Sequence, residues 1–73
     1  MYVDSRIREA IDKHARDIEN NDLVPVILEV YLQCGPKGVG ELKDLFEKAG
    51  VEKEFFNGTV EKIITTLLKT ALY

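Results

Sequence analysis

The sequence contains one histidine and one cysteine, two residue types that often serve as nucleophiles, bases or metal ligands. His14 follows Ile7 and Ile11 and precedes Ile18 at three- and four-residue spacing, and no sequence feature supplies the carboxylate and reacting partner that a catalytic histidine needs. Cys34 is predicted at the end of a helix, where the negative end of the dipole disfavours the thiolate. One cysteine allows neither an intramolecular disulfide nor a cysteine-based zinc site. We therefore predict no catalytic residue, no metal site and no cofactor.

A glycine-rich stretch is the second candidate for chemistry. Residues 35–40 read Gly-Pro-Lys-Gly-Val-Gly, so backbone amides and Lys37 could approach a phosphate at the start of the following helix. The Walker pattern requires Gly, four residues and then Gly-Lys-Ser/Thr, and this stretch has neither that spacing nor the hydroxyl. Calcium-loop and di-metal carboxylate patterns do not occur either. We interpret residues 34–40 as a plain loop between two helices and predict that the chain is not an enzyme.

One side of the last predicted helix carries hydroxyls and lysines. Projected at 100° per residue, the side opposite the apolar stripe holds Thr59, Lys62, Thr66 and Lys69, which we call the Lys/Thr face. Such side chains can contact the phosphates and base edges of nucleic acid. A water-exposed side of an ordinary helix would show the same pattern. Nucleic-acid binding through these four residues is therefore the alternative hypothesis.

Four helices are needed to position these groups. Apolar residues recur with the helical period, and Asp22 and Pro25 suit the start of a helix. Gly35 and Gly50 suit the left-handed position after a helix end. The predicted helices cover about residues 4–19, 22–33, 40–49 and 54–72.

The segment Leu23–Leu32 allows two interpretations, because Glu29 is the only charged residue within it. A buried strand would explain its β-branched residues, and a central helix would explain its length, cap and proline position. We favour the helix. Apolar on nearly all sides, it should form the hub of the core and be covered on most sides. The prediction is a single all-α domain over residues 1–73, a compact four-helix bundle with orthogonal or helix-turn-helix-like packing.

The order of elements from Val26 to Leu72 resembles a helix-turn-helix or winged-helix core. An apolar helix leads to Gly-Pro-Lys-Gly-Val, then to Glu-Leu-Lys-Asp-Leu-Phe at residues 41–46, a Gly-Val turn at 50–51, and Thr-Val-Glu-Lys-Ile-Ile at 59–64. The resemblance implies DNA recognition by the last helix, which would fall on the Lys/Thr face.

Composition limits both size and partners. With 73 residues, 45% of them apolar, the chain has material for one small core. Its net charge of −3 differs from the basic balance usual in nucleic-acid binders. No charged leader opens the sequence, and no run approaches the roughly 18–20 apolar residues of a membrane span. A cytoplasmic protein without a membrane partner is the expectation.

The first functional hypothesis rests on apolar residues in excess of what so small a fold can bury. Both ends are apolar, with Tyr2, Val3, Leu72 and Tyr73 as candidate partner-binding residues. Exposed apolar patches mark sites of protein association. We therefore expect a non-enzymatic helical protein-interaction module, regulatory or accessory, whose helix faces contact a second copy or another protein. No small-molecule substrate is indicated.

Overall fold

Helices account for most of the chain. The structure, a computed structural model, describes residues 4–71 as four helices without a strand: α1 (Ser5–Lys13), α2 (Ala15–Glu19), α3 (Val24–Lys48) and α4 (Lys53–Ala71). The predicted all-α fold is confirmed, and the strand interpretation of Leu23–Leu32 is wrong.

The first predicted helix, residues 4–19, is divided at one residue. The Asp4 carboxylate accepts a hydrogen bond from the backbone N–H of Arg6 at 2.9 Å and caps α1. His14 leaves the helical conformation (φ −105°, ψ 21°) and separates α1 from α2. Helical bonds still span this residue, since the His14 N–H donates to the Ala10 carbonyl and the Ile18 N–H to the His14 carbonyl, each at 3.0 Å. The prediction therefore missed an interruption, while the course of the chain is as predicted.

Asparagine ends α2. Asn21 has a left-handed backbone (φ 61°). The Asp22 N–H donates to the Asp17 carbonyl at 2.8 Å, which is the 6→1 hydrogen bond of a Schellman turn. The N-cap of α3 is Leu23 and not the predicted Asp22, but the Asp22 side chain accepts from the Val24 N–H at 3.2 Å and so satisfies the first amide of the helix. Pro25 lies in the first turn of α3, where no amide hydrogen is required.

The predicted loop 34–40 is reduced to a break at Gly35. This residue (φ 72°, ψ −168°) divides α3 into a first half, residues 24–34, and a second half, residues 36–48. Such a backbone conformation is essentially restricted to glycine. Pro36 suits the opening of the second half because its fixed φ is helical and its missing N–H costs nothing there. The third helix thus begins four residues earlier than the predicted 40–49.

Glycine is also the reason the loop prediction was wrong. Gly38 is buried inside the second half of α3, and a Cβ there would collide with the Cβ of Cys34 and lie 3.2 Å from Val30 Cγ1. The residue is needed for close packing across the break, whereas the sequence pattern indicated a turn.

The turn after α3 agrees with the prediction. Gly50 has φ 96°. Its N–H donates to the Glu47 carbonyl at 3.1 Å, and the Val51 N–H donates to the Phe46 carbonyl at 2.9 Å. These two bonds make a Schellman turn, and Val51 packs on the core as such turns favour. α4 then runs without interruption through Gly58.

The core lies where α1 and α4 pack on α3. Phe46 and Phe56 join α3 to α4, with ring centroids 5.8 Å apart and planes tilted by 56°. The first half of α3 is the hub, as predicted, but one of its sides is open: Tyr31 is 50% exposed and Leu32 80%. The buried hydrophobic residues are Ile7, Ala10, Leu23, Val26, Ile27, Val30, Leu42, Phe46 and Phe56.

Candidate interaction site

An open apolar groove lies between α3 and the later turns of α4. Its volume is about 580 Å³, within the range of roughly 300–1,000 Å³ typical of binding pockets. We call it the α3–α4 groove. Its lining residues are Ile27, Leu28, Tyr31, Pro36, Val39, Val60, Ile63, Ile64, Leu67, Leu68 and Ala71.

One wall of the groove is built by both halves of α3. Ile27 and Leu28 lie four and three residues before Tyr31, so both neighbour it on one side of the first half. The break at Gly35 then places Pro36 and Val39 of the second half on the same wall. Ile27 is only 3% exposed and belongs to the core as well. The wall is therefore fixed by core packing.

The other wall is the apolar stripe of α4, which continues beyond the core. Phe56, in the first turn, is the one residue of α4 that is buried. Two to three turns later Ile64, Leu67 and Leu68 are 51%, 53% and 60% exposed. The stripe keeps its helical spacing to Ala71, although the core covers only its beginning. This half of α4 thus presents an apolar face with no partner in the described chain.

The groove is suited to apolar contact and to little else. None of its lining residues is charged, and the Tyr31 hydroxyl is their only polar side-chain group. These walls carry no charged side chain that could hold a phosphate or a metal ion. Within residues 4–71, no group of three or more His, Cys, Asp or Glu side chains could hold a metal ion.

A polar cluster on the opposite side of α3 joins it to the α1–α2 junction. His14 Nε2 donates to Glu29 Oε1 at 3.0 Å, and Lys13 Nζ lies 3.1 Å from the same oxygen. The second nitrogen, His14 Nδ1, is 3.6 Å from Asp17 Oδ2. The hydrogen bond from His14, and then that from Lys13, lower the pKa of Glu29 below its ordinary value of 4.5.

This cluster accounts for two residues that the sequence analysis left without partners. The sequence indicated no carboxylate to orient His14, and the structure supplies two, those of Glu29 and Asp17. Glu29 was the single charge of an apolar segment. Their fifteen-residue separation has no helical period, so the contact depends on how α1 packs on α3. The geometry supports a structural link between the helices.

The Lys/Thr face lies on α4, where Lys62, Thr66 and Lys69 are exposed and Thr59 is half-buried. Its hydroxyls already have acceptors. Thr59 Oγ1 donates to the Phe55 carbonyl at 3.1 Å, and Thr66 Oγ1 donates to the Lys62 carbonyl at 2.9 Å. Both bonds are local ones to the preceding turn. The Lys/Thr face therefore presents two exposed ammonium groups, those of Lys62 and Lys69, and one exposed threonine, Thr66.

The remaining candidate residues fall elsewhere. Tyr2, Val3, Leu72 and Tyr73, the predicted partner-binding residues, lie outside the described residues 4–71. Cys34 is a half-buried free thiol beside Gly38. The sequence stripe on α4 predicted one wall of the groove. The other wall could not be found from sequence, because it requires the helical course of residues 36–39.

No helix of the described chain is long and apolar enough to cross a membrane. Comparisons with models of protein families, with curated proteins and with solved structures found no match.

Proposed function

We propose that this chain is a non-enzymatic helical protein-interaction module that acts through the α3–α4 groove. The observation that carries the proposal is the uncovered apolar half of α4, where Ile64, Leu67 and Leu68 each expose half or more of their surface. Covering apolar surface is favourable by about 25 cal/mol per Å². A face of this kind therefore favours association with an apolar partner.

The shape of the groove specifies the kind of contact. Its two walls are helices, and a groove between two helices accepts the apolar side of a third, read at positions i, i+3, i+4 and i+7. Because the walls carry no charge, such a partner would contribute leucine-like anchors to the centre and keep its own charges at the rim.

A synthetic amphipathic helix tests this mode directly. The probe is a fluorescein-labelled peptide of about 18 residues with leucine at the i, i+3, i+4 and i+7 positions. Its control has the same composition in scrambled order. Fluorescence anisotropy should detect binding of the patterned peptide alone.

Two variants locate the binding. Ile64→Lys places a charge in the groove and should weaken peptide affinity at least about tenfold, because an exposed anchor is replaced by a desolvated cation. Phe55→Lys makes the same change in charge on α4 outside the groove lining and should leave the affinity unchanged. Equal binding of patterned and scrambled peptides, or equal loss in both variants, would contradict the proposal.

Nucleic-acid binding through the Lys/Thr face is the second candidate, supported by the exposure of Lys62 and Lys69. Its test is anisotropy of a labelled DNA duplex at low and high salt. Contacts from lysine to phosphate make affinity fall steeply with salt, so this function requires salt-sensitive binding that Lys62→Glu and Lys69→Glu both reduce. The interaction-module proposal expects no such binding, since the net charge is −3.

A further inference from the structure

We propose that the occupant of the α3–α4 groove is a second copy of this chain, in a two-fold dimer. This inference rests on the proposed function, since it names the partner of the same groove. Ile64 and Leu68 form a ridge along α4, which we call the α4 ridge. In the dimer the α4 ridge of each copy lies in the groove of the other.

The exposed apolar area matches what one side of a dimer interface needs. Tyr31, Ile64, Leu67 and Leu68 are each half exposed or more, and at about 200 Å² for a large apolar residue they present roughly 400 Å² together. One side of a standard interface covers about 800 Å², of which about 65% is apolar in homodimers, or roughly 500 Å². Half-buried Leu28 and Val39 and exposed Pro36 and Ala71 add further apolar surface to the same groove.

The groove and the α4 ridge lie on the same face, which is what a two-fold contact requires. In such an interface the same surface is used by both copies, so it must contain a projection and a recess that fit each other. Ile64 and Leu68 line the α4 wall of the groove and are 51% and 60% exposed, and Ile27, Tyr31 and Val39 line the α3 wall. One face of a single chain therefore contains both the exposed α4 ridge and the groove that would receive it.

The uncharged groove lining sets the salt dependence expected of the dimer. A partner selected by charge would meet charged residues in the groove, and its lining has none. Two copies carry −3 each, and their mutual repulsion is screened by salt. The dimer should therefore hold or strengthen as salt is raised, whereas a complex held by opposite charges weakens.

Size adds a further reason. Domains of this length bury a small share of their surface and often gain stability by association. The core here consists of the nine buried hydrophobic residues of the described chain. Covering the groove would continue that core across the two-fold axis.

Sedimentation equilibrium of the purified chain, over a concentration series and at two salt concentrations, tests the dimer. The wild type should fit a monomer–dimer equilibrium whose dissociation constant is unchanged or lower at high salt. Leu68→Lys and Ile64→Lys should each raise that constant at least about tenfold, because the two-fold axis makes every substitution act twice. Both residues are exposed in the monomer, and circular dichroism should confirm that the variants keep their helices.

Phe55→Lys is the matched control, since it adds the same charge to α4 outside the groove lining. Its dissociation constant should equal that of the wild type. A wild type that stays monomeric throughout the series overturns the dimer. The amphipathic peptide then separates the two proposals: a monomer that binds the peptide retains the interaction function with another protein as partner, and a monomer that does not bind it loses both.

Discussion

Gly38 and Gly40 occupy the same helical stretch and differ in what surrounds them. Gly38 is buried, and a Cβ on it would collide with Cys34 and press on Val30. Around Gly40 nothing lies within 4 Å of that position. Opposite effects of one substitution should follow from this difference.

Gly38→Ala should lower the free energy of unfolding by about 1–3 kcal/mol, the usual cost of overpacking. Gly40→Ala should raise it by about 0.5–1 kcal/mol, because alanine favours an open helix position. Urea unfolding followed by circular dichroism measures both. Two changes of the same sign would mean that α3 does not run as a helix through residues 36–40.

Glu29 gives the fold a defined dependence on pH. Hydrogen bonds from His14 and Lys13 lower its pKa below 4.5. A group whose pKa is lowered on folding stabilises the folded state above its unfolded pKa, and this contribution is lost as the pH falls through the folded pKa. Glu29→Gln should therefore destabilise the protein at pH 7, with a difference from wild type that shrinks below pH 4.5.

Urea unfolding at a series of pH values from neutral to acidic measures that difference. Glu41→Gln, which neutralises an exposed acid of α3, is the control and should show a much smaller difference at every pH. A Glu29→Gln difference that stays constant into acid would show that the carboxylate does not hold His14 and Lys13 in solution.

At the scale of elements, α4 is attached at one end. Phe56 contacts Phe46 in the core and is 2% exposed, while its neighbour Phe55 is 42% exposed. Successive residues of a helix face different directions, so the pair provides a matched comparison.

Phe56→Ala should lower the free energy of unfolding by about 3–5 kcal/mol, as for other buried phenylalanines. Phe55→Ala should change it by less than about 1 kcal/mol, as for surface positions. Thermal and urea unfolding of both variants measure the comparison, at a protein concentration held constant because association also affects stability. Similar losses in both would show that α4 packs in a different rotation about its axis.

Local signals predicted the ends of these elements well. Asp22, Pro25, Gly35 and Gly50 act by their own side chains or backbone preferences, and each lies where the sequence indicated a helix boundary. Glycine in the second half of α3 misled the prediction because the same residue permits a turn and permits close packing. Whether a glycine forms a turn or permits close packing depends on the side chains around it, and at Gly38 it permits close packing against Cys34 and Val30.

At the scale of the whole molecule, the described chain measures 41 × 22 × 20 Å. Sequence periodicity predicted the helical fold and the apolar face of α4. It did not predict that Tyr31 and Leu32 would remain exposed, because the burial of these side chains depends on where α4 crosses α3. The contact of His14 with Glu29 was out of reach for the same reason, since it is fixed by tertiary packing.

Ile27 is shared between the folded interior and the groove wall. An occupant of the groove therefore covers the surface next to Ile27. Because a ligand that binds only the native state stabilises that state, the occupant would make unfolding that exposes Ile27 less frequent. Chains left alone would open more often and meet proteases in the open state. With a second copy as the proposed occupant, the fraction of covered chains, and with it the lifetime of the protein, would then rise with its own concentration.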